Sequence, residues 1–486
     1  MLASKALGFL RQAFIADAFG ASASTDVYFI ANDFMVNMSG AFTTALSTAL
    51  IAVYIDVAAR NGKQKAGHMV SRTLTVYLMV SASVAIILSL FAQPLGRLLM
   101  PVNNDAQLAQ LVFYLRMFSV ALVFSAIQAI YAAVLNANER FVHSKFYGLI
   151  FNPLAIAAVL FLGPYLEIRA LIVAYYVANV LQTMLLHFSC RRTFSFRPVL
   201  RKTDDDLSQI WKLALPILIS NVVVQLNGVI DKAICSLLGT GITSIYTYAH
   251  TLEQFVTGTF TATITMVLFP RIANTVSTGE EEQVRKLLDR AVKFLLVVLI
   301  PVALISVLCT KGIVALVYER GAFTKADTAA TALALIGFAV GFPLVAVREL
   351  LIRVHVAYQQ AKTAMTINIL AVVLNVMLSL TLSRWIGIFG VTIATSLSAL
   401  LSTILLLASL RKHLPVYRFR STWTILLRTL PALALCAVAV LAAGQVPGLS
   451  LLFRVALQLA AGCAAYGLLW LIINHRWLRS EFFEKP

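Results

Sequence analysis

Charged side chains are scarce in this chain, and several of them fall inside long apolar stretches. Arg11 lies mid-way along the stretch 2–20, and Asp26 and Asp33 mark the start of the next one, with Asn32 and Asn37 close by. A spacing of seven puts both carboxylates on one helix face, two turns apart. The second half of the chain carries Asp231-Lys232, Glu253, and the group Arg348-Glu349 with Arg353. Ionisable groups in apolar spans are costly, so they mark either a substrate path or an ion pair between helices. Arg11 admits both readings. It can pair with Asp17 or Asp26, or it can face a central cavity and meet an anionic headgroup. The second is the expectation adopted here, because a planar guanidinium donates two hydrogen bonds at once to a diphosphate. Asp231 is open between a cation ligand and a partner for Lys232. Glu349 and Arg353, four residues apart, predict an intrahelical pair, which leaves Arg348 as the freer cation. Glu253 joins Arg11, Asp26, Asp33 and Arg348 as a candidate substrate-binding residue. His250 and His355 read as satisfied interior histidines and receive no role.

The chain lacks G-x-S-x-G, a Walker loop and H-E-x-x-H, so no enzyme constellation stands out and no nucleotide loop could drive transport. Cys190, Cys235, Cys309, Cys436 and Cys463 are scattered without C-x-x-C spacing, which implies neither a disulfide framework nor a zinc site. A net charge of +18 raises the question of nucleic acid, but the basic residues sit in short loops between apolar runs. The run Glu280-Glu281-Glu282 before Arg285-Lys286 reads as a solvated helix start with acids in its first turn.

The elements that must position these residues are membrane helices. Of 486 residues, 60% are hydrophobic and 12% charged, with a mean hydropathy of +0.86. Soluble domains are about one quarter charged, so most of this chain belongs in lipid. Apolar stretches of spanning length fall near 2–20, 27–56, 70–98, 107–136, 146–164, 168–189, 209–237, 242–269, 291–308, 328–357, 364–383, 386–409, 422–444 and 449–474. That predicts an all-α integral membrane protein with fourteen transmembrane helices. With the N-terminus inside, 27 of the 39 lysines and arginines fall in cytoplasmic segments and six in external loops, which puts both termini in the cytoplasm. Ala21-Ser22-Ala23 could pass for a signal-peptidase site, but Arg11 interrupts the apolar region a signal peptide needs. Residues 1–20 therefore read as a retained first span.

The chain also repeats itself. Residues from about 1 to 192 recur some 217 to 220 positions later. Gly20, Thr25, Asp26 and Tyr28 are answered by Gly239, Thr243, Ser244 and Tyr246, and Gly62 by Gly279. Arg191-Arg192 is answered by Arg411-Lys412. A long repeat in so apolar a chain is the signature of a two-lobed transporter with its substrate site between the lobes. The expected lobes are helices 1–6 over residues 1–200 and helices 7–12 over 201–413, in a pseudo-two-fold repeat. Helices 13 and 14, over 414–486, stand outside it.

Several segments resemble the MviN/MurJ family, the lipid II flippases of the MOP superfamily. They are Leu7-Gly8-Phe9-Leu10-Arg11, Thr25-Asp26-Val27-Tyr28-Phe29, Leu135-Asn136-Ala137, Asp231-Lys232-Ala233, Val267-Leu268-Phe269-Pro270-Arg271, Glu319-Arg320-Gly321-Ala322-Phe323-Thr324 and Val347-Arg348-Glu349. The resemblance implies a central cationic cavity, with the last two helices forming a groove for a lipid tail. It implies a flippase that carries an undecaprenyl-diphosphate-linked peptidoglycan precursor from the inner to the outer leaflet of the bacterial plasma membrane by alternating access. The chain would act as a monomer, among membrane lipids, with no nucleic acid and no enzymatic activity. Arg11 becomes a headgroup-binding arginine with Asp26 as its neighbour. No organic cofactor is implied, but some members hold a sodium ion, and the corresponding positions are Asp231, Asn375, the Val391 carbonyl and Thr395. The pattern departs at Asn37-Met38-Ser39-Gly40 and at His250, where the family carries arginines, and at Ser379, where it carries an aspartate. Another polyprenyl-diphosphate-linked oligosaccharide, of exopolysaccharide or teichoic type, is thus the alternative cargo. A multidrug or cation antiporter is a further one, which predicts acids rather than Arg11 in the cavity.

Overall fold

The computed structural model describes residues 2–101, 104–140, 146–191, 196, 205–411 and 420–478. The lobe boundaries expected at 200/201 and 413/414 lie outside the described residues, as do Arg192, Lys412 and the C-terminal tail. Among the described residues the chain is helical and contains no strand. It divides into two compact units, residues 1–244 and 245–486.

The first unit opens with α1 (Leu2–Phe19) and α2 (Ala23–Leu90). The latter is two helices joined at Gly62, whose φ of +83° no helix accommodates. After α3 (Ala92–Leu99) come α4 (Asp105–Ala137), α5 (Tyr147–Phe161), the single turn α6 (Gly163–Leu166), α7 (Ala170–Cys190) and α8 (Asp205–Ser236). Its main core draws on both halves of α2, through Leu46, Leu50, Val53, Val70 and Leu74. Ile130 and Val134 of α4 and Ile210 of α8 complete it. In lipid the backbone must satisfy itself, which is why the segments are helices, and side-chain packing then decides which faces meet.

The second unit takes most of α9 (Ile242–Thr263), whose helix passes through a π-helical turn at Ile264–Leu268 into α10 (Phe269–Ser277). There follow α11 (Glu281–Leu308), α12 (Thr310–Tyr318), α13 (Lys325–Ala339) and α14 (Phe342–Ala357). The unit closes with α15 (Ala361–Ile386), α16 (Ile388–Leu410), α17 (Arg420–Gly444) and α18 (Leu451–Leu478). The start of α11 is the solvated one expected, with Glu282 bonded to Arg285 at 2.6 Å. That bond holds the Glu282 carboxyl below its ordinary range. Helices α17 and α18 pack on α11 through Ile425, Cys436, Tyr466 and Trp470, and Tyr466 Oη donates to Val297 O at 2.7 Å. Helices α13 and α14 are bent by 44° relative to each other.

By length and composition, eight of the described helices can cross a membrane, or nine if the bent pair α13–α14 counts as one span. This makes the chain a multi-pass membrane protein. Three of the stretches that drop out have plain causes. Helix α2 holds two stretches in one 68-residue element, α5 is only 15 residues long, and α1 carries Lys5, Arg11 and Asp17 within 18 residues.

Backbone angles repeat as the sequence does. Among the described residues, eight of the eleven with positive φ fall in pairs, Gly20 with Gly239, Gly62 with Gly279, Glu139 with Gln359 and Glu167 with Gly387, spaced by 219, 217, 220 and 220 positions. Glu139 and Gln359 end α4 and α14 in the same way. The next amides, of Arg140 and Gln360, each reach back 2.8 Å to Leu135 O and His355 O, the bond that satisfies a terminal helix carbonyl. Glu167 at φ 50°, ψ −141° almost duplicates Gly387 at φ 59°, ψ −139°. For a residue with a Cβ this region is strained by about 1–3 kcal/mol. Replacing Glu167 by glycine should therefore raise stability by about 1 kcal/mol. A melting midpoint in detergent micelles that stays level or falls contradicts the strain.

Candidate functional site

Two clusters of polar side chains lie in the first unit. The first is built on Asp26, in the first turn of α2, where Ser22 and Thr25 form a capping box. The Asp26 carboxylate is 1% exposed. It accepts from Gly241 N at 2.5 Å, Ser244 N at 2.7 Å and Ser244 Oγ at 2.6 Å. These are the amides at the start of α9, so one carboxylate compensates the positive ends of two helices. Thr25 Oγ1 lies 2.8 Å from the same Ser244 Oγ. Gly241 makes the approach possible: its φ is +86°, and a Cβ there would stand 2.7 Å from Ala21 O.

Two turns further along, Asp33 pairs with Lys232 of α8. Lys232 is 4% exposed and stands 5.8 Å from the centroid of the Phe29 ring. Asn32 Nδ2 donates to Asp33 Oδ1 at 2.9 Å. The two aspartates seven residues apart do share a side of α2, but each is committed to a different partner. Lys232 answers to Asp33 across 199 positions, and Asp231, 1% exposed, is buried beside it.

Arg11 forms the second cluster. Among the described residues it has no ion pair with Asp17, Asp26 or any other carboxylate, and its buried Nε has no hydrogen-bond partner. Instead its guanidinium lies 5.0 Å from the centroid of the Phe151 ring of α5. Such a contact is worth about 2 kcal/mol when desolvated. Phe151 is stacked on Tyr147 at 5.7 Å and meets Tyr175 of α7 edge-on at 5.8 Å. The Tyr28 and Tyr147 hydroxyls are within electrostatic reach of the arginine. Asn179 Nδ2 donates to Tyr147 Oη at 3.4 Å, and Gln128 Nε2 holds Asn179 Oδ1 at 3.1 Å. Sequence reading missed this aromatic surround. Tyr147, Phe151 and Tyr175 lie 136 or more positions from Arg11, and aromatic residues in apolar spans carry no local signal of their own.

In the second unit, Glu253 is 9% exposed. It accepts from Thr257 Oγ1 at 2.9 Å and lies 3.7 Å from His250 Nε2. The His250 ring stacks on Tyr246 at 5.7 Å. Arg348 of α14 acts on Glu253 electrostatically. The expected Glu349–Arg353 pair is replaced: Glu349 Oε1 is 3.3 Å from Arg348 Nη2. Arg348 is therefore paired with Glu349 instead of being the freer cation, while its own Nε keeps no hydrogen-bond partner among the described residues. His355 is satisfied by Leu351 O at 2.8 Å and Ser409 Oγ at 2.5 Å.

Of the four positions matching a sodium site, three sit together in the second unit. Asn375 Nδ2 donates to Thr395 Oγ1 at 3.3 Å, and Thr395 Oγ1 donates to Val391 O at 3.4 Å. Amide, carbonyl and hydroxyl oxygens are the donor types a hard cation takes. Among the described residues there is no group of three His, Cys, Asp or Glu that could hold a metal.

A bundle of apolar helices carrying isolated buried charges is the build of a transporter. The fold has a solved counterpart of that class in the inward-facing conformation of a multidrug resistance MATE family transporter of the MOP superfamily. That structure has a TM-score of 0.72 at 13% identity over 87% of this chain and 96% of the other. A lipid II flippase MurJ solved in an inward closed conformation matches with a TM-score of 0.82 at 21% identity, covering 98% of each chain. Among curated proteins, the probable lipid II flippase MurJ of Rickettsia prowazekii is 24% identical over 401 residues, 82% of this chain and 79% of the relative. The family model described as lipid II flippase MurJ matches residues 15–456. The chain belongs to the MurJ family of lipid II flippases.

Removing the Asp26 carboxylate in Asp26→Ala leaves the Gly241 and Ser244 amides without an acceptor. The loss should be about 3 kcal/mol. Gly241→Ala, which forces a side chain against Ala21 O, should lower the melting midpoint in the same direction. Wild-type melting in both variants rules out the double helix cap as a stabilising contact.

Proposed function

We propose that this protein is a flippase that moves lipid II, the undecaprenyl-diphosphate-linked peptidoglycan precursor, across the bacterial cytoplasmic membrane by alternating access. The observation that carries the reading is Arg11. A guanidinium within an apolar helix, without a carboxylate partner among the described residues, keeps its charge for a ligand. A diphosphate is the part of that cargo which a forked donor recognises. Asp26 and Asp33 are engaged with the start of α9 and with Lys232 and so do not neutralise Arg11, and Arg348 with Glu253 provides a second charged group in the later unit. Family membership supports the same cargo.

The finer topology belongs to this proposal. Fourteen spans, with both termini cytoplasmic, follow from the fourteen apolar stretches and from the positive-inside asymmetry. Residues 1–200 and 201–413 form a duplicated pair of six-helix lobes, and 414–486 add two helices that hold the lipid tail. The paired left-handed residues support the duplication.

The test is translocation of lipid II in reconstituted vesicles. Arg11→Ala should reduce the rate by about tenfold or more, since charge-assisted hydrogen bonds to a diphosphate are lost. Arg11→Lys, which keeps the charge without the fork, should retain part of it. Undiminished lipid II movement in Arg11→Ala sinks the assignment. Complementation of a strain depleted of its own lipid II flippase is the cellular counterpart.

A further inference from the structure

Among the described residues Arg11 has no carboxylate partner, and the groups nearest its guanidinium are phenols with a proton to donate. Its guanidinium brings five N–H groups, and Nε is buried with no partner. Tyr147 Oη already accepts from Asn179 Nδ2 at 3.4 Å, so the hydroxyl's own proton points elsewhere. No residue among those described takes that proton, and Tyr28 Oη likewise has no hydrogen-bond partner among them. A phenol, like a guanidinium, leaves an unspent donor in a low-dielectric interior only at a cost. Here three such groups converge from α1, α2 and α5, and the rings behind them are fixed. Tyr147 is stacked on Phe151, with 14° between the planes, and Phe151 lies beneath Arg11. Tyr28 leans on Phe118 at 6.1 Å, which in turn meets Tyr175 edge-on at 5.1 Å. The Asn179–Gln128 pair holds Tyr147 from behind.

We propose that Tyr28 and Tyr147 are binding residues in their own right. On this view their hydroxyl protons, with the Arg11 guanidinium, donate to the phosphoryl oxygens of a polyprenyl diphosphate. An oxyanion with several oxygens spread in space suits donors that arrive from three helices. A diphosphate offers that spread, and a carboxylate does not. The inference rests on the proposed function for the identity of the lipid, but the donor set is a property of this chain. It makes the aromatic surround selective as well as protective: the ring faces hold the cation and the ring hydroxyls count phosphates. Asn179 is a positioning residue, because it accepts nothing from the ligand and sets the direction in which Tyr147 donates.

The experiment compares wild type with Tyr28→Phe, Tyr147→Phe and the double variant, each of which keeps its ring and loses only the hydroxyl. Binding of undecaprenyl diphosphate, undecaprenyl monophosphate and phosphatidylglycerol is measured by native mass spectrometry on the full chain in micelles, alongside melting midpoints. Each single change should weaken undecaprenyl diphosphate about tenfold and the double change about a hundredfold, at unchanged melting. The monophosphate should lose less, and phosphatidylglycerol should not change. Equal losses for all three lipids make this a general lipid-phosphate site and overturn the diphosphate assignment. Wild-type diphosphate binding in the double variant overturns the inference outright, as does a wild-type protein that does not bind undecaprenyl diphosphate. If wild type binds undecaprenyl diphosphate through these hydroxyls but moves no lipid II, the proposed cargo fails and the donor set stands.

Discussion

The carboxylate of Asp26 meets two backbone amides and a hydroxyl at the start of α9 while sitting in the first turn of its own helix. Helix N-termini carry partial positive charge, and bringing two of them together inside a protein is unfavourable unless an anion lies between. Asp26 is that anion. Its contact fixes where α9 begins, which brings Thr243 Oγ1 to within 3.3 Å of Lys232 O at the end of α8. That in turn sets Lys232 beside Asp33. The order of events is electrostatic: one cap places a helix end, the end places a lysine, and the lysine takes up the second aspartate of α2. The buried charges Asp26, Asp33 and Lys232 thereby become a closed account of their own.

Arg11 stands apart from that account. With Asp26 and Asp33 engaged elsewhere, the first unit gives it quadrupoles instead of a counter-ion. Aromatic faces lower the energy of a desolvated cation without neutralising it, so the charge stays available. A carboxylate in place of Phe151 would stabilise the empty protein and compete with any anionic ligand. The contrast with Arg348, which pairs with Glu349, shows both solutions within one chain.

Much of this architecture is visible in the sequence, because bilayer thickness and backbone hydrogen bonding leave few choices for an apolar run. The turn positions are visible too: Gly20, Gly62, Gly239 and Gly279 are read correctly from type and spacing. The candidate charges are legible as a set, since a lysine or aspartate in an apolar helix stands out. Their pairing is not. Lys232 takes Asp33 over its neighbour Asp231, and Glu349 takes Arg348 over Arg353 four residues on, because the choice depends on helix rotation and on partners from distant segments. The aromatic surround of Arg11 is silent in sequence for a related reason. Tyr147, Phe151 and Tyr175 look like any lipid-facing or core residues until α5 and α7 are laid against α1.

The matching of Glu167 to Gly387, in φ and ψ almost identical, bears on how such a chain changes over time. A glutamate at one position and a glycine 220 residues later hold almost the same backbone angles, so the frame tolerates either residue there. These paired positions are therefore natural recombination points. A segment exchanged between the halves at Gly62 and Gly279, or at Glu167 and Gly387, enters and leaves with its backbone already pointing the right way. New cargo chemistry can then be tried on an inherited frame without first solving the folding problem again.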